Sequence, residues 1–426
     1  MVADDGFARF FQVMVLLATL VALPLSAESV EIPEEDRPEL FALLLAASFG
    51  AMLLVASTDL VMLYLSFEFV SILSYVLACY RRGSRSSAEA GLEYVIYGGV
   101  ASGLMVYGFS LLCGLGGLTC IAACSRPPAA PGDGFAPAAM VGCALALVGF
   151  GYKVASAPFH MWAPDVYEGA PTPVTAYFSV VPKAAGFAAL VRFLFGGFTV
   201  QDGPSWRVFA HVDWVPLLEV MCVLTMTVGN LAAMAQRKVK RMLAYSGVAH
   251  AGYVLIGVVV LTSRGLEATL VYLFVYSFMN LGAFAVVAMV VNRTGSDDLE
   301  AFKGLFWRGR QGAFVAVLAT AFFFALVGAP PTAGFTGKLL LFSAAVEHHS
   351  YGIVVAALLN TLISVYYYFK VFQAMFLTSP STPEKLTWSG WALALLLVLA
   401  LPTIGFGVRS ESLIAIARAS LHLVGV

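Results

Sequence analysis

An all-α polytopic membrane bundle of about twelve transmembrane helices is the fold class this chain predicts, and three observations predict it. Of the 426 residues, 60% are apolar and 12% charged, against roughly 45–50% and about 25% in soluble domains. Mean hydropathy is +0.87. The apolar residues gather into runs close to the roughly 20 residues a helix needs to cross the hydrocarbon core. Lipid offers no partner to backbone N–H and C=O groups, so only helices or closed barrels cross it, and these runs lack the alternation of a barrel strand.

Twelve runs follow in order: 10–25, 40–56, 60–79, 92–115, 138–157, 173–196, 215–235, 242–261, 266–291, 312–345, 351–377 and 388–408. The first is not read as a secretory signal, because Asp4 and Asp5 outweigh Arg9 ahead of it. The second to fourth are bounded by acidic or arginine-rich stretches. The fifth ends in a proline-rich string carrying Pro158, Pro164, Pro171 and Pro173. The tenth is too long for one straight span and holds Gly328-Ala-Pro-Pro-Thr-Ala-Gly-Phe-Thr-Gly-Lys338.

The connections fix relative orientation, since Lys and Arg remain on the cytoplasmic side. Three are strongly basic: Arg81, Arg82 and Arg85; Arg237, Lys238, Lys240 and Arg241; Arg293, Lys303, Arg308 and Arg310. They follow spans three, seven and nine, all odd, so all lie on one face. The even connections hold isolated charges such as Arg126, Arg207 and Arg264. Both termini are then expected outside the cytoplasm.

Within the apolar runs sit Glu68, Lys153, Lys183 and Lys338. A charge at the centre of a membrane helix costs about 2.5–3.5 kcal/mol on insertion scales, so such residues face the bundle interior and mark ion or proton paths. Snorkelling or a static ion pair is the alternative for any one of them. Four in one chain favour function. Desolvation disfavours an ammonium and a nearby carboxylate restores it, which makes a Lys–Glu pair switchable. His250, about two turns into span eight, is a further relay candidate.

The two proline-rich interruptions belong to spans five and ten. Unwound backbone inside a membrane must be satisfied by protein or water, and broken segments in corresponding positions of two halves point to an inverted repeat around an ion path. Residues 40–196 and 215–377 are therefore expected to be two inverted five-helix repeats in a single membrane domain, flanked by helices in 1–27 and 388–426.

Other classes fall away. The chain carries 24 Lys+Arg against 25 Asp+Glu, without the basic excess of a nucleic-acid binder. Six cysteines and six histidines show no zinc-like spacing, so no metal or cofactor is expected in this chain. Cys120 and Cys124 are not expected to be bonded. The Gly114-Leu-Gly-Gly117 stretch lacks a phosphate-loop lysine. His160 reads as a capping residue in the break, and His348 and His349 as loop residues.

Three strings carry a family resemblance: Gly-Tyr-Lys-Val-Ala-Ser-Ala-Pro-Phe-His-Met-Trp-Ala-Pro-Asp-Val-Tyr-Glu-Gly-Ala-Pro-Thr-Pro-Val from Gly151, Lys-Arg-Met-Leu-Ala-Tyr-Ser-Gly-Val-Ala-His-Ala-Gly-Tyr from Lys240, and Gly-Phe-Thr-Gly-Lys from Gly334. They resemble the antiporter-like, proton-translocating membrane subunits of respiratory complex I, the bacterial NADH-quinone oxidoreductase, and the Asp-Val-Tyr-Glu-Gly string most resembles the subunit N branch. The resemblance implies proton transfer by Glu68, Lys153, Lys183, His250 and Lys338. Lys153 would load from the cytoplasm, Lys183 pass the proton across the centre with His250, Lys338 deliver it outward, and Glu68 tune Lys153. It implies a bacterial inner (plasma) membrane location and, as partners, the bilayer and other membrane and peripheral subunits, including neighbouring antiporter-like ones. NADH, FMN, Fe–S clusters and quinone would belong to partner subunits. A cation/proton antiporter or membrane-bound hydrogenase subunit is the rival reading. Relatives of this type have fourteen helices, and the Asp5-Gly6-Phe7 start resembles the beginning of their third. An upstream start or a shortened subunit would each explain that.

Overall fold

The computed structural model describes residues 1–124, 135–209, 212–380 and 385–421; Arg126 lies outside them. Among the described residues, 12 helices are long and apolar enough to cross a membrane. They are α1 (Gly6–Ala27), α2 (Arg37–Ala56), α3 (Leu60–Ala78), α4 (Arg85–Gly116), α5 (Phe135–Val154), α7 (Thr172–Phe198), α8 (Val215–Met234), α9 (Val239–Val259), α10 (Ser263–Thr294), α11 (Arg310–Val327), α13 (Tyr351–Leu377) and α14 (Gly390–Val408). The shorter α6 (Trp162–Gly169) and α12 (Ala333–Glu347) continue α5 and α11 beyond their breaks, and α15 (Glu411–Ala419) ends the described chain. The overlong tenth run is thus α11 and α12 separated by Gly328–Thr332, because Gly328 takes a left-handed φ of 87° and two prolines follow.

Side-chain pairs sort the connections onto two faces. On one, Glu31 before α2 meets Arg81 after α3, Lys238 before α9 meets Glu168 at the end of α6, Arg241 meets Asp165 and Glu168, and Asn292 at the end of α10 donates to the Glu28 carbonyl. All three basic connections share this basic face. On the opposite face, Val2 bridges to Ser57 and Asp59 to Cys120. A hairpin of β1 (Thr199–Asp202) and β2 (Ser205–Val208), paired antiparallel with Thr199 opposite Val208, adjoins Thr262 there. Both ends of the described chain lie on that opposite face, where Ser420 packs against Gly6. Cys120 and Cys124 are free thiols.

Polar groups along α7, α9 and α10 would be costly in lipid, and these three helices form the centre, with α7 buried throughout its span. The other spans surround them and present Leu, Val, Ile and Phe outward, as at Leu65, Phe69 and Ile72 of α3. At the opposite face α1 is pinned to the centre by a buried ion pair. Arg192 of α7 meets Asp5 at 2.6 Å and donates to the Val55 carbonyl at 2.7 Å.

Candidate functional site

Lys153 stands one residue before the end of α5. Its ammonium donates to the Ser71 hydroxyl at 2.9 Å and the Phe67 carbonyl at 3.5 Å, and lies 4.6 Å from the centre of the Phe67 ring. All three contacts come from α3. Glu68, next to Phe67, is half-buried, with Oε1 enclosed and without a hydrogen-bond partner. It lies within electrostatic reach of Lys153, yet no ion pair within 4.0 Å joins them. The expected Lys–Glu pair is therefore open, and the lysine leans on neutral oxygens instead.

Lys183 lies midway along α7. Its ammonium is buried without a hydrogen-bond partner, 5.7 Å from the centre of the Tyr167 ring. Gly247 of α9 makes room for it: a Cβ there would stand 2.7 Å from Lys183 Nζ and 3.1 Å from the Tyr276 hydroxyl. Asn280, one turn beyond Tyr276, lies within its reach, but neither its amide atoms nor that hydroxyl has a partner of hydrogen-bond geometry. Gly186, one turn along α7 from Lys183, packs on the stem of Lys153, where a Cβ would come within 3.0 Å of Cγ. One face of α7 thus touches both lysines.

His250 of α9 has both ring nitrogens engaged, Nδ1 with the Tyr272 hydroxyl at 2.6 Å and Nε2 with the Tyr368 hydroxyl at 3.3 Å. Tyr368 in turn meets the Ser246 hydroxyl. Hydroxyls both give and accept protons, so either imidazole tautomer is accommodated. The imidazole lies within electrostatic reach of both Lys183 and Lys338. Lys338, in the second turn of α12, reaches back across the break to the last carbonyls of α11, Val327 at 2.7 Å and Leu326 at 3.3 Å, and sits 4.5 Å from the centre of the Tyr253 ring.

The five residues singled out in the sequence therefore form one band through the bundle, from Glu68 and Lys153 past Lys183 to His250 and Lys338. A row of buried, sparsely partnered amines and an imidazole, spaced by hydroxyls, is suited to holding and relaying protons. The hydroxyls of Tyr272, Tyr276 and Tyr368 and the gap at Gly247 were not identified from sequence. The only signal was the spacing of Tyr272 and Tyr276, one helical turn apart. His160 is buried in the first break with Nδ1 unpartnered, while His348 and His349 are exposed between α12 and α13.

Residues 57–364 match the family described as the transmembrane region of NADH:quinone oxidoreductase and Mrp antiporters. The chain belongs to this family. The NADH-quinone oxidoreductase subunit N 2 of Chloroherpeton thalassium is 43% identical over 432 residues, spanning 100% of this chain and 83% of that protein. The subunit N 2 of Sorangium cellulosum is 44% identical over 426 residues, covering 96% and 82%. Among solved structures, a chain of respiratory complex I from Thermus thermophilus is 33% identical with a TM-score of 0.80, covering 98% of this chain and 87% of that one. A chain of an archaeal membrane-bound sulfane sulfur reductase is 26% identical with a TM-score of 0.85, covering 97% and 82%. Among the described residues, no group of three or more His, Cys, Asp or Glu is placed to hold a metal ion.

Proposed function

We propose that this chain is a proton-translocating membrane subunit of an NADH-quinone oxidoreductase, driven by NADH oxidation and quinone reduction in partner subunits. The observation that carries it is the buried band of Lys153, Lys183, His250 and Lys338 inside a chain 43% identical to a subunit N. Lys153 takes up protons from the basic face under the influence of Glu68. Lys183 receives them at the centre, His250 relays them through its tyrosine partners, and Lys338 releases them toward the opposite face. NADH, FMN, Fe–S clusters and quinone are held by other subunits. The basic face is cytoplasmic by the charge rule, so both termini lie outside, and the membrane is the bacterial inner membrane.

Residues 40–196 and 215–377 act as two inverted repeats. In support, the α5–α6 pair runs from the opposite face to the basic face and α11–α12 runs the other way, each interrupted after a first segment of 20 and 18 residues respectively. The rival assignment to an antiporter or hydrogenase complex shares the fold, but the high identity over the whole chain lies with the NADH-quinone oxidoreductase subunits.

The test is Lys183→Met in the assembled complex, reconstituted in sealed vesicles and supplied with NADH. The expected result is a complex of normal composition whose proton translocation falls roughly 100-fold. Undiminished translocation in Lys153→Met, Lys183→Met and Lys338→Met alike would overturn the reading.

A further inference from the structure

The lysines of this chain divide by what stands against their charge. Lys238 and Lys303 are paired with Glu168 at 2.7 Å and Glu300 at 2.6 Å. Lys240, in the sequence one of four cations in a basic connection, is 3% exposed, donates to the Ala170 carbonyl at 3.0 Å and has the Glu31 carboxylate 4.0 Å away. Glu31 in turn accepts from Arg81 at 3.1 Å and from the Thr172 N–H at the start of α7 at 2.6 Å. Lys153, Lys183 and Lys338 are as deeply buried, yet among the described residues no carboxylate oxygen stands within 4.0 Å of their ammonium groups.

Each of the three meets an aromatic ring instead. Lys153 Nζ lies 4.6 Å from the centre of the Phe67 ring, Lys183 Nζ 5.7 Å from that of Tyr167, and Lys338 Nζ 4.5 Å from that of Tyr253. The rings come from three different elements, α3, α6 and α9, and all are buried. A cation within about 6 Å of a ring centre is attracted by the negative face of the π-system, most strongly where water is excluded. Lys370 also meets a ring, but Tyr366 is an exposed neighbour one turn back on the same helix, a pairing that helical spacing alone produces.

Phe67 and Tyr167 are each followed directly by a glutamate, Glu68 and Glu168. Successive residues on a helix point about 100° apart, so the ring takes the position facing the lysine and the carboxylate is turned elsewhere. Glu168 is turned to Lys238 and Arg241. A carboxylate in contact would favour the ammonium strongly and lock the proton in place. A ring face favours it more weakly, and the lysine stays able to release.

We propose that Phe67, Tyr167 and Tyr253 are positioning residues for proton transfer, each holding the protonated form of its lysine against a ring face in place of a carboxylate, with a hold graded by ring distance. The hold is tighter at Lys153 and Lys338 than at Lys183, which has the farthest ring and no hydrogen-bond partner. Lys183 is then the station a proton leaves most readily, as suits a place between the other two. The inference rests on the reading of the three lysines as proton carriers.

The experiment uses assembled complexes in sealed vesicles supplied with NADH, with Phe67 replaced by mono-, di- and trifluorophenylalanine through a reassigned stop codon. Each fluorine withdraws charge from the ring face with little change of shape. Phe193 of α7, equally buried and packed against Phe150 and Phe198, receives the same series as a control, and Lys153→Met is measured alongside. Proton translocation is expected to fall with each fluorine at Phe67, about tenfold over the series, and to stay level across the Phe193 series. A level Phe67 series beside a loss in Lys153→Met overturns the inference alone, and normal translocation in Lys153→Met removes the reading beneath it as well. Equal decline in both series assigns the effect to packing and overturns the inference too. If the fluorinated Phe67 complexes fail to assemble, Tyr253 decides. Tyr253→Phe keeps a ring before Lys338 and is expected to retain the translocation that Tyr253→Leu loses; equal loss in both, or loss in neither, overturns the proposal.

Discussion

Where α5 stops, the Tyr152 carbonyl accepts from the Ala155 N–H at 3.1 Å and the Trp162 indole at 3.0 Å, and the Gly151 carbonyl from the Ser156 N–H at 2.8 Å. The Ala157 N–H donates to the Thr225 hydroxyl of α8 at 2.9 Å. Where α11 stops, the carbonyls of Leu326 and Val327 accept instead from the Lys338 ammonium. In the first break neutral groups complete the backbone and leave Lys153 to lean on α3. In the second the lysine itself caps the helix, at the end where the macrodipole favours a cation. Glu68 moving toward or away from Lys153 changes that lysine's proton affinity with little effect on the break, whereas a proton leaving Lys338 weakens the cap of α11. On the proposed function the two ends of the band would have distinct tasks: one would answer to the charge of Glu68, and the other is tied to helix geometry.

The largest expected effect breaks that comparison if it is wrong. Lys338→Met removes a titrating group and a cap together, so it should abolish proton translocation and also destabilise the subunit by about 1–3 kcal/mol for each buried carbonyl left unpaired. Lys153→Met should impair translocation with a smaller stability loss. Thermal unfolding of the two variants in mild detergent checks this, and equal losses would remove the distinction. Next in size is Gly247→Ala, which deletes no polar group yet places a methyl 2.7 Å from Lys183 Nζ. Displacing a transferring group by about 1 Å costs up to ~100-fold, so proton translocation should fall while complex assembly persists. Trp162→Phe sharpens the comparison from the other side. It frees one acceptor site on Tyr152, and the first break then has a use for its own lysine. Translocation should slow several-fold, an effect that Glu68→Gln should mask if both act by drawing Lys153 away from α3.

Much of this was legible before any coordinates. Spans are legible because lipid imposes length and apolarity on every crossing, and the tenth run announced its break by excess length and by Gly328, Pro330 and Pro331. The basic connections sorted onto one face by parity, and the side-chain pairs at Glu31, Glu168 and Asn292 agree. The five ionisable residues stood out because an ionisable group in an apolar run has few explanations. What stayed hidden depends on contacts between distant segments. His250 is bound by Tyr272 and Tyr368, 22 and 118 residues away, and tyrosines are ordinary in membrane helices. Lys240 read as a loop cation because one residue of register at a helix start decides whether a side chain faces water or protein. Glu31 belonged to an acidic connection and gave no sign that it caps α7.

The smallest expected effect concerns the basic face, where α6, the second half of the first break, is held to α9 by charge, whereas no ion pair holds α12 to α9. Burial alone would raise the Glu168 carboxyl, but hydrogen bonds and charge from Lys238 and Arg241 outweigh it and hold the group below the usual carboxylate range. Lys238 is correspondingly held above the ordinary lysine value by Glu168. A carboxyl lowered in the folded state contributes stability that is complete above its unfolded value, near pH 4, and is lost as pH falls through the folded value. Asp297 has the opposite sign: raised by burial, it opposes folding at neutral pH and ceases to do so on protonation. The acid limb of a thermal-unfolding profile should therefore show a gain from Asp297 at higher pH and a loss from Glu168 at lower pH. Glu168→Gln should flatten the loss and Asp297→Asn the gain. Since Glu168 and Lys238 are partly solvated, each change should be a shallow shift in slope. An acid limb unaltered by Glu168→Gln would mean that packing, not charge, holds α6 to α9.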